Sequence, residues 1–134
     1  MILVCGIPNA GKTTYSKQFK DVIHYDDLQL TTKGRYKKIN EFVAKGECVV
    51  DGVFGKRENR CSLIQSCPKD EKKVCVWLNT SLSVCLEREK KYRNRSLFMV
   101  KSHYNSFEPP TLDEGWDEII IIRGNNEQSI NNEK

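Results

Sequence analysis

A three-layer α/β sandwich around a parallel five-stranded sheet is the fold class this sequence predicts, and three observations predict it. Short apolar runs recur at residues 1–5, 22–25, 47–52, 72–79 and 118–122. Segments with helical spacing separate them, as in sheets whose strands are joined by crossovers. A glycine-bearing loop falls directly between the first strand and the first helix. The chain has 134 residues, 38% of them hydrophobic, which is room for one compact core. Residues 1–123 read as that domain. Residues 124–134, rich in Asn, Glu and Gln, have nothing to bury and read as a polar, disordered tail.

Residues 1–5 are too few for an independent helix and read as a buried strand. The chain then turns through Gly6, Ile7, Pro8, Asn9, Ala10, Gly11, Lys12, Thr13 and Thr14. A G-x-x-x-x-G-K-[ST] string between a strand and a helix is a phosphate loop. Gly6 and Gly11 let the backbone wrap close to an anion, main-chain N–H groups point inward as a nest, and Lys12 adds a mobile positive charge. The helix starts near Lys12 and continues toward Phe19, so its unpaired N–H groups face the same phosphates. The Thr13 hydroxyl is the expected contact to Mg²⁺. These nine residues are the candidate nucleotide-binding set, with ATP and Mg²⁺ as the expected ligands.

The second strand ends on the acidic pair Asp26 and Asp27. In an open parallel sheet ligands gather outside the carboxyl ends of the strands, so Asp26 is expected beside the phosphate loop. Over residues 33–45, Tyr36, Ile39, Phe42 and Val43 recur at helical intervals, and Gly46 is the expected stop. Lys33, Arg35, Lys37 and Lys38 on the outer face are either solvated or in contact with substrate. The third strand closes on Asp51, which reads as a carboxylate that steadies a metal shell, with a simple Asp-Gly turn as the alternative. A crossover helix over 57–66 favours the first reading. The fourth strand reads as buried on both faces. Thr80 or Ser81 then caps a helix with Leu82, Cys85 and Leu86 on one face. Residues 96–107 form a further helix carrying Leu97, Val100 and Tyr104 to the core, and Pro109-Pro110 ends it. Gly115-Trp116 turns the chain into the last strand.

Net charge is +4 and the isoelectric point about 8.7, a mild pointer to a polyanionic partner. The charge is concentrated in residues 86–101, where Arg88, Lys90, Lys91, Arg93, Arg95 and Lys101 meet only Glu87 and Glu89. The six cysteines include no C-x-x-C pair and read as small buried hydrophobes, not as disulfides or zinc ligands. No apolar run approaches the length of a membrane span, and the first residues lack the basic flank and apolar core of a secretory signal. An intracellular, reducing compartment, cytoplasm or nucleus, is therefore expected, with no membrane partner. His24 and His103 are too far apart in sequence to argue a metal site and read as structural or surface residues.

A phosphate loop alone does not decide between hydrolysis, transfer and switching. Asp26, opposite the loop, is placed to accept a proton from an attacking hydroxyl, and Asp27 could share or replace that role. Arg88, Arg93 and Arg95 lie where a lid would close over the β- and γ-phosphates, since the planar guanidinium fork matches phosphate oxygens. A solvated basic helix is the alternative.

Read in order, residues 6–13, Tyr25-Asp26-Asp27, Val50-Asp51-Gly52 and the stretch from Leu86-Glu87-Arg88 to Arg95 resemble the 5′-hydroxyl polynucleotide kinase family. The closing segment 107–116, Phe-Glu-Pro-Pro-Thr-Leu-Asp-Glu-Gly-Trp, is similar to the end of the kinase domain in polynucleotide kinase-phosphatases. The resemblance covers roughly residues 1–122. It implies an adenylate-kinase-like P-loop fold, ATP and Mg²⁺, and transfer of the γ-phosphate to a 5′-hydroxyl of DNA or RNA. It further implies Asp26 as general base, Lys12 and Thr13 on phosphate and metal, and Arg88 and Arg93 in the lid. The chain departs from the family at His24-Tyr25, Gln29 and Gly52-Val53. Tyr36, Tyr92 and Phe98 are candidates for stacking a base. Two other functions fit the same residues: a kinase for a nucleoside or another small hydroxyl metabolite, and a non-enzymatic ATP-binding switch module.

Overall fold

Successive side chains of a strand point to opposite faces of its sheet, and in β1 (Ile2–Cys5) that alternation divides two cores. Leu3 and Cys5 enter one, Val4 the other, and all three are fully buried. The computed structural model describes residues 1–124 and 126–131. β1 lies between β3 (Val49–Gly52) and β4 (Val74–Leu78) and runs parallel to both. β2 (Ile23–His24) pairs outside β3, and β5 (Glu118–Arg123) outside β4, again parallel. On one face α2 (Thr32–Ala44) and α3 (Arg57–Ser66) supply Ile39, Val43 and Leu63 to the core of Leu3, Val50, Cys75, Ile119 and Trp116. On the other, α4 (Leu82–Arg88) and α5 (Leu97–Ser106) supply Cys85 and Val100 against Val4, Val76 and Leu78. The result is the expected three-layer α/β sandwich.

The sheet differs from expectation in having six strands, in the order β2-β3-β1-β4-β5-β6. β6 (Asn126–Asn131) runs antiparallel to β5, from Glu118 opposite Asn131 to Arg123 opposite Asn126. The edge of β5 offers a row of backbone donors and acceptors, so a polar segment can join it without an apolar run. Only Ile130 packs against the core. Residues 125 and 132–134 of the expected tail lie outside the described residues. Two smaller corrections concern helices. The first helix, α1 (Lys12–Ser16), is five residues long and stops short of Phe19. In α5 only Val100 is fully buried, while Tyr104 is 49% exposed. All six cysteines are free thiols, five of them buried and Cys61 half-buried.

The closing segment of the sequence acts as a brace. Arg60 of α3 and Glu114 form a bidentate pair, Nε to Oε1 at 2.8 Å and Nη2 to Oε2 at 2.9 Å, with both side chains fully buried. Glu114 also accepts from Trp116 Nε1 at 3.1 Å, and Arg60 Nη1 donates to the Phe54 carbonyl at 2.8 Å. Phe54 has φ +42°, a left-handed conformation unfavourable for a bulky residue, so this bond secures the turn after β3. Burial raises the Glu114 carboxyl, and the Arg60 guanidinium and Trp116 N–H more than offset it.

Removing one partner of a buried ion pair leaves the other charge uncompensated. Glu114→Ala is expected to lower stability by about 3–5 kcal/mol in urea unfolding. Asp113→Ala, at the exposed pair with Arg57, is expected to change the same midpoint far less.

Candidate active site

The phosphate loop leaves β1 at Gly6, where φ is +155° and an added Cβ would lie 2.8 Å from the Leu78 carbonyl oxygen. No larger residue fits there. Asn9 (φ +70°) and Gly11 (φ +102°) take left-handed conformations that curl the loop. Ile7 and Ala10 turn their side chains into the second core and hold the loop to the sheet. Residues 8–14 line the cleft, whereas Gly6 and Ile7 contribute carbonyls, each accepting from Lys12 Nζ at 2.9 Å. Burial lowers the Lys12 pKa, and the carboxylates of Asp26 and then Asp51 oppose that shift. Both acidic side chains therefore act on the same ammonium.

Asp51 is buried at the end of β3. Its Oδ2 accepts from Ser16 Oγ at 2.9 Å and lies 2.8 Å from His24 Nδ1. Asp26 and Asp27 share the 3-10 turn Tyr25–Asp27 that follows β2. Among the described residues Asp26 lines the cleft and Asp27 does not, which separates two side chains that adjacent positions leave equivalent. Thr13 is exposed in the cleft beside Lys12.

The basic segment expected to form a lid leaves α4 through a π-helical turn, Glu89–Arg93, and reverses at Asn94 (φ +52°) into Ser96, whose hydroxyl caps α5. Such turns are frequent at functional sites. Arg88 Nη1 donates to the Asn9 carbonyl at 2.9 Å, and Arg93 is an exposed wall of the cleft. Arg95 is engaged: its Nη2 pairs with Glu89 Oε1 at 3.0 Å and reaches Asn9 Oδ1 at 3.3 Å. The Arg95 guanidinium, with the Asn9 amide, holds the buried Glu89 carboxyl down at about 2.

Opposite the loop, Arg35 lies 5.0 Å from the centre of the Tyr25 ring and donates to the Leu28 carbonyl at 2.8 Å. It is the one member of the basic face of α2 on the cleft wall; Lys33, Lys37 and Lys38 are exposed. Tyr25, Tyr36 and Phe54 pack with ring centres 5.2–6.0 Å apart, and burial pushes the Tyr36 hydroxyl up to about 12. Tyr92 and Phe98 are largely exposed. His103, half-buried, also lines the cleft. Burial and the Lys12 charge lower its pKa, and Asp26 opposes them. Met99, His103 and Ser106 all face the cleft, and their i, i+4, i+7 spacing on α5 is the signal that could have singled them out.

No protein-family model matches the sequence. Among solved structures, the chain is similar to a gluconokinase from Sinorhizobium meliloti 1021, with TM-score 0.70 and 20% identity over 93% of this chain and 82% of that one. It is also similar to a candidate kinase from Chloroflexus aurantiacus J-10-fl, with TM-score 0.60 and 17% identity over 91% and 83% of the two chains. The fold is that of the P-loop kinases. Among the described residues no helix is long and apolar enough to cross a membrane.

Glu89 gives this site a pH signature. Its native value of about 2 lies below the ordinary 4.5, so its contribution to stability is present above pH 4.5 and is lost as pH falls from 4.5 toward 2. Glu89→Gln is expected to flatten the acid limb of stability against pH, read from urea midpoints across that range. The slope that remains belongs to the other carboxyls held below their ordinary values, Glu71, Asp113 and Glu114.

Proposed function

We propose that this protein is an ATP-dependent phosphotransferase that moves the γ-phosphate of ATP to a hydroxyl acceptor, the 5′-hydroxyl of a polynucleotide. The observation that carries the reading is that Lys12 and Asp26 line one cleft. A phosphate grip and a proton acceptor thus sit across a single space. The cleft holds about 1460 Å³, above the roughly 300–1,000 Å³ of a site for one small ligand. Nucleotide and acceptor can occupy it together, which a switch module does not require.

In this reading residues 8–14 and Lys12 cradle the β- and γ-phosphates, with Arg88 and Arg93 closing from the lid side. The acceptor oxygen attacks the γ-phosphorus, the bond to the bridging oxygen of ADP breaks, and the hydroxyl proton passes to Asp26. Thr13 and Asp51 suit Mg²⁺. They supply oxygen donors, and Mg²⁺ is commonly held by one or two protein groups together with phosphates and water. When bound there, Mg²⁺ would neutralise charge on the phosphates.

The polynucleotide acceptor is supported by the sequence resemblance and by the exposed basic and aromatic side chains of Lys90, Lys91, Tyr92 and Arg93 next to the cleft. A small hydroxyl metabolite is the second reading, favoured by the likeness in fold to a gluconokinase. Incubation with γ-labelled ATP and 5′-hydroxyl DNA, 5′-hydroxyl RNA, a nucleoside panel and sugar acids names the acceptor. The polynucleotide reading expects labelled oligonucleotide, with turnover that falls steeply as salt rises. Label on small alcohols alone selects the second reading, and label on none leaves a nucleotide-binding module.

Asp26→Asn is expected to retain ATP binding and to lose transfer by roughly 10²- to 10⁴-fold; full activity would remove Asp26 as the base. Lys12→Ala is expected to weaken ATP binding in calorimetric titration, and unchanged affinity would undercut the phosphate-loop assignment.

A further inference from the structure

A residue that serves only to wrap a loop around an anion needs no side chain, and glycine takes the φ of +70° seen at position 9 more readily than asparagine. Yet every polar group of the Asn9 side chain, and its carbonyl, is bonded to α4 or to the segment that follows it. Nδ2 donates to Glu89 Oε1 at 2.9 Å and to the Cys85 carbonyl at 3.2 Å. Oδ1 accepts from Arg95 Nη2 at 3.3 Å, and the main-chain oxygen accepts from Arg88 Nη1 at 2.9 Å. The other end of this network is a carboxylate 1% exposed. Besides Asn9 and the Arg95 side chain, Glu89 accepts from the backbone N–H groups of Arg95 and Ser96. It thus ties the π-helical turn and the start of α5 to a loop 80 residues away in sequence.

We propose that Glu89 is a positioning residue that clamps the arginine lid to the phosphate loop through Asn9, so that lid and loop form one preformed phosphate-binding unit. The proposal rests on the reading of residues 6–14 as an ATP site. It divides the three lid arginines by role. Arg95 is committed to the clamp. Arg88 is anchored at the loop by a bond that uses one of the five guanidinium N–H donors, leaving the others for phosphate oxygens. Arg93, an exposed residue of the cleft wall between Glu89 and Arg95 in sequence, is not part of it. A lid fixed in advance loses little conformational freedom when nucleotide binds, which is the general benefit of preorganisation.

Glu89 also organises the turn before α5, so the decisive variant is Asn9→Gly. It removes the three side-chain bonds from the loop, keeps the backbone conformation and the Arg88 bond to the main-chain oxygen, and leaves the bonds from Glu89 to Arg95 and Ser96 in place. Four proteins are compared: the wild type, Asn9→Gly, Glu89→Gln and the double variant. Amide hydrogen exchange over residues 89–96 without nucleotide reads the clamp directly. MgATP affinity by titration calorimetry and the kcat against KM split in the transfer assay read its consequence. Asn9→Gly is expected to speed exchange over 89–96 by about tenfold, the loss of a hydrogen bond to a charged group, with little change in Tm. MgATP affinity falls about tenfold in each single variant and no further in the double, because both cut one network. Where transfer is measurable, kcat falls more than KM for the acceptor rises.

Exchange within about twofold of wild type in Asn9→Gly overturns the clamp, as do additive losses in the double variant. Should Glu89→Gln fail to fold, Asn9→Gly alone decides. If the wild type binds no MgATP, the ATP-site reading fails on its own, and the exchange comparison still decides whether loop and lid are joined.

Discussion

Parallel pairing of β1 with both β3 and β4 is the constraint from which the site follows. Register aligns Cys5 with Gly52 on one side and with Trp77 on the other, so three strands end at the same level. The loop after β1, Asp51 at the end of β3 and the turn that leads from β4 into α4 therefore emerge at one edge. β2 brings Asp26 to that edge by the same rule, with His24 opposite Asp51. An antiparallel neighbour at any of these positions would send its loop to the far side. The convergence of Lys12, Asp26 and Asp51 is a consequence of strand direction, reached before any side chain is considered.

Two buried carboxylates hold the periphery to this edge, each by a guanidinium. Glu114 pairs with Arg60, and Arg60 passes the restraint to the carbonyl of Phe54, a residue of the cleft wall. Glu89 pairs with Arg95 and passes it to Asn9. Buried charges of this kind are costly unless paired. In both places the network spans elements far apart in sequence, through Arg60 to Glu114 in one and Glu89 to Asn9 in the other, where apolar contact alone would permit sliding. The two walls of the cleft are thus set by directional bonds, and its floor by the apolar sheet.

What the sequence disclosed was whatever depends on local rules. The loop was legible because Gly6, Gly11 and Lys12 carry their conformational and electrostatic requirements at fixed spacing. Helix α3 appeared with its observed limits, and Ser96 caps α5 just ahead of the predicted apolar face. Asp26 and Asp51 were found because strand ends in a parallel sheet point one way. What stayed hidden depends on partners. Asn9 and Glu89 are ordinary polar residues until the fold joins them. β6 carries no apolar pattern, since its cohesion is with the backbone of β5. His103 occupies a face of α5 that is polar in sequence and cleft-facing in space. Tyr104 fits a core period, yet α5 rolls that position outward.

The added strand has a consequence for self-association. A sheet presents two edges, and an exposed, flat, apolar edge is a template on which further chains can stack. Here one border is β2, only two residues long, and the other is β6, whose side chains are Asn, Glu, Gln and Ser except for Ile130. The isoleucine-rich β5, the segment most prone to stack on a copy of itself, is thereby turned into an interior strand. The polar C-terminal stretch works as a guard rail for the hydrophobic run it follows.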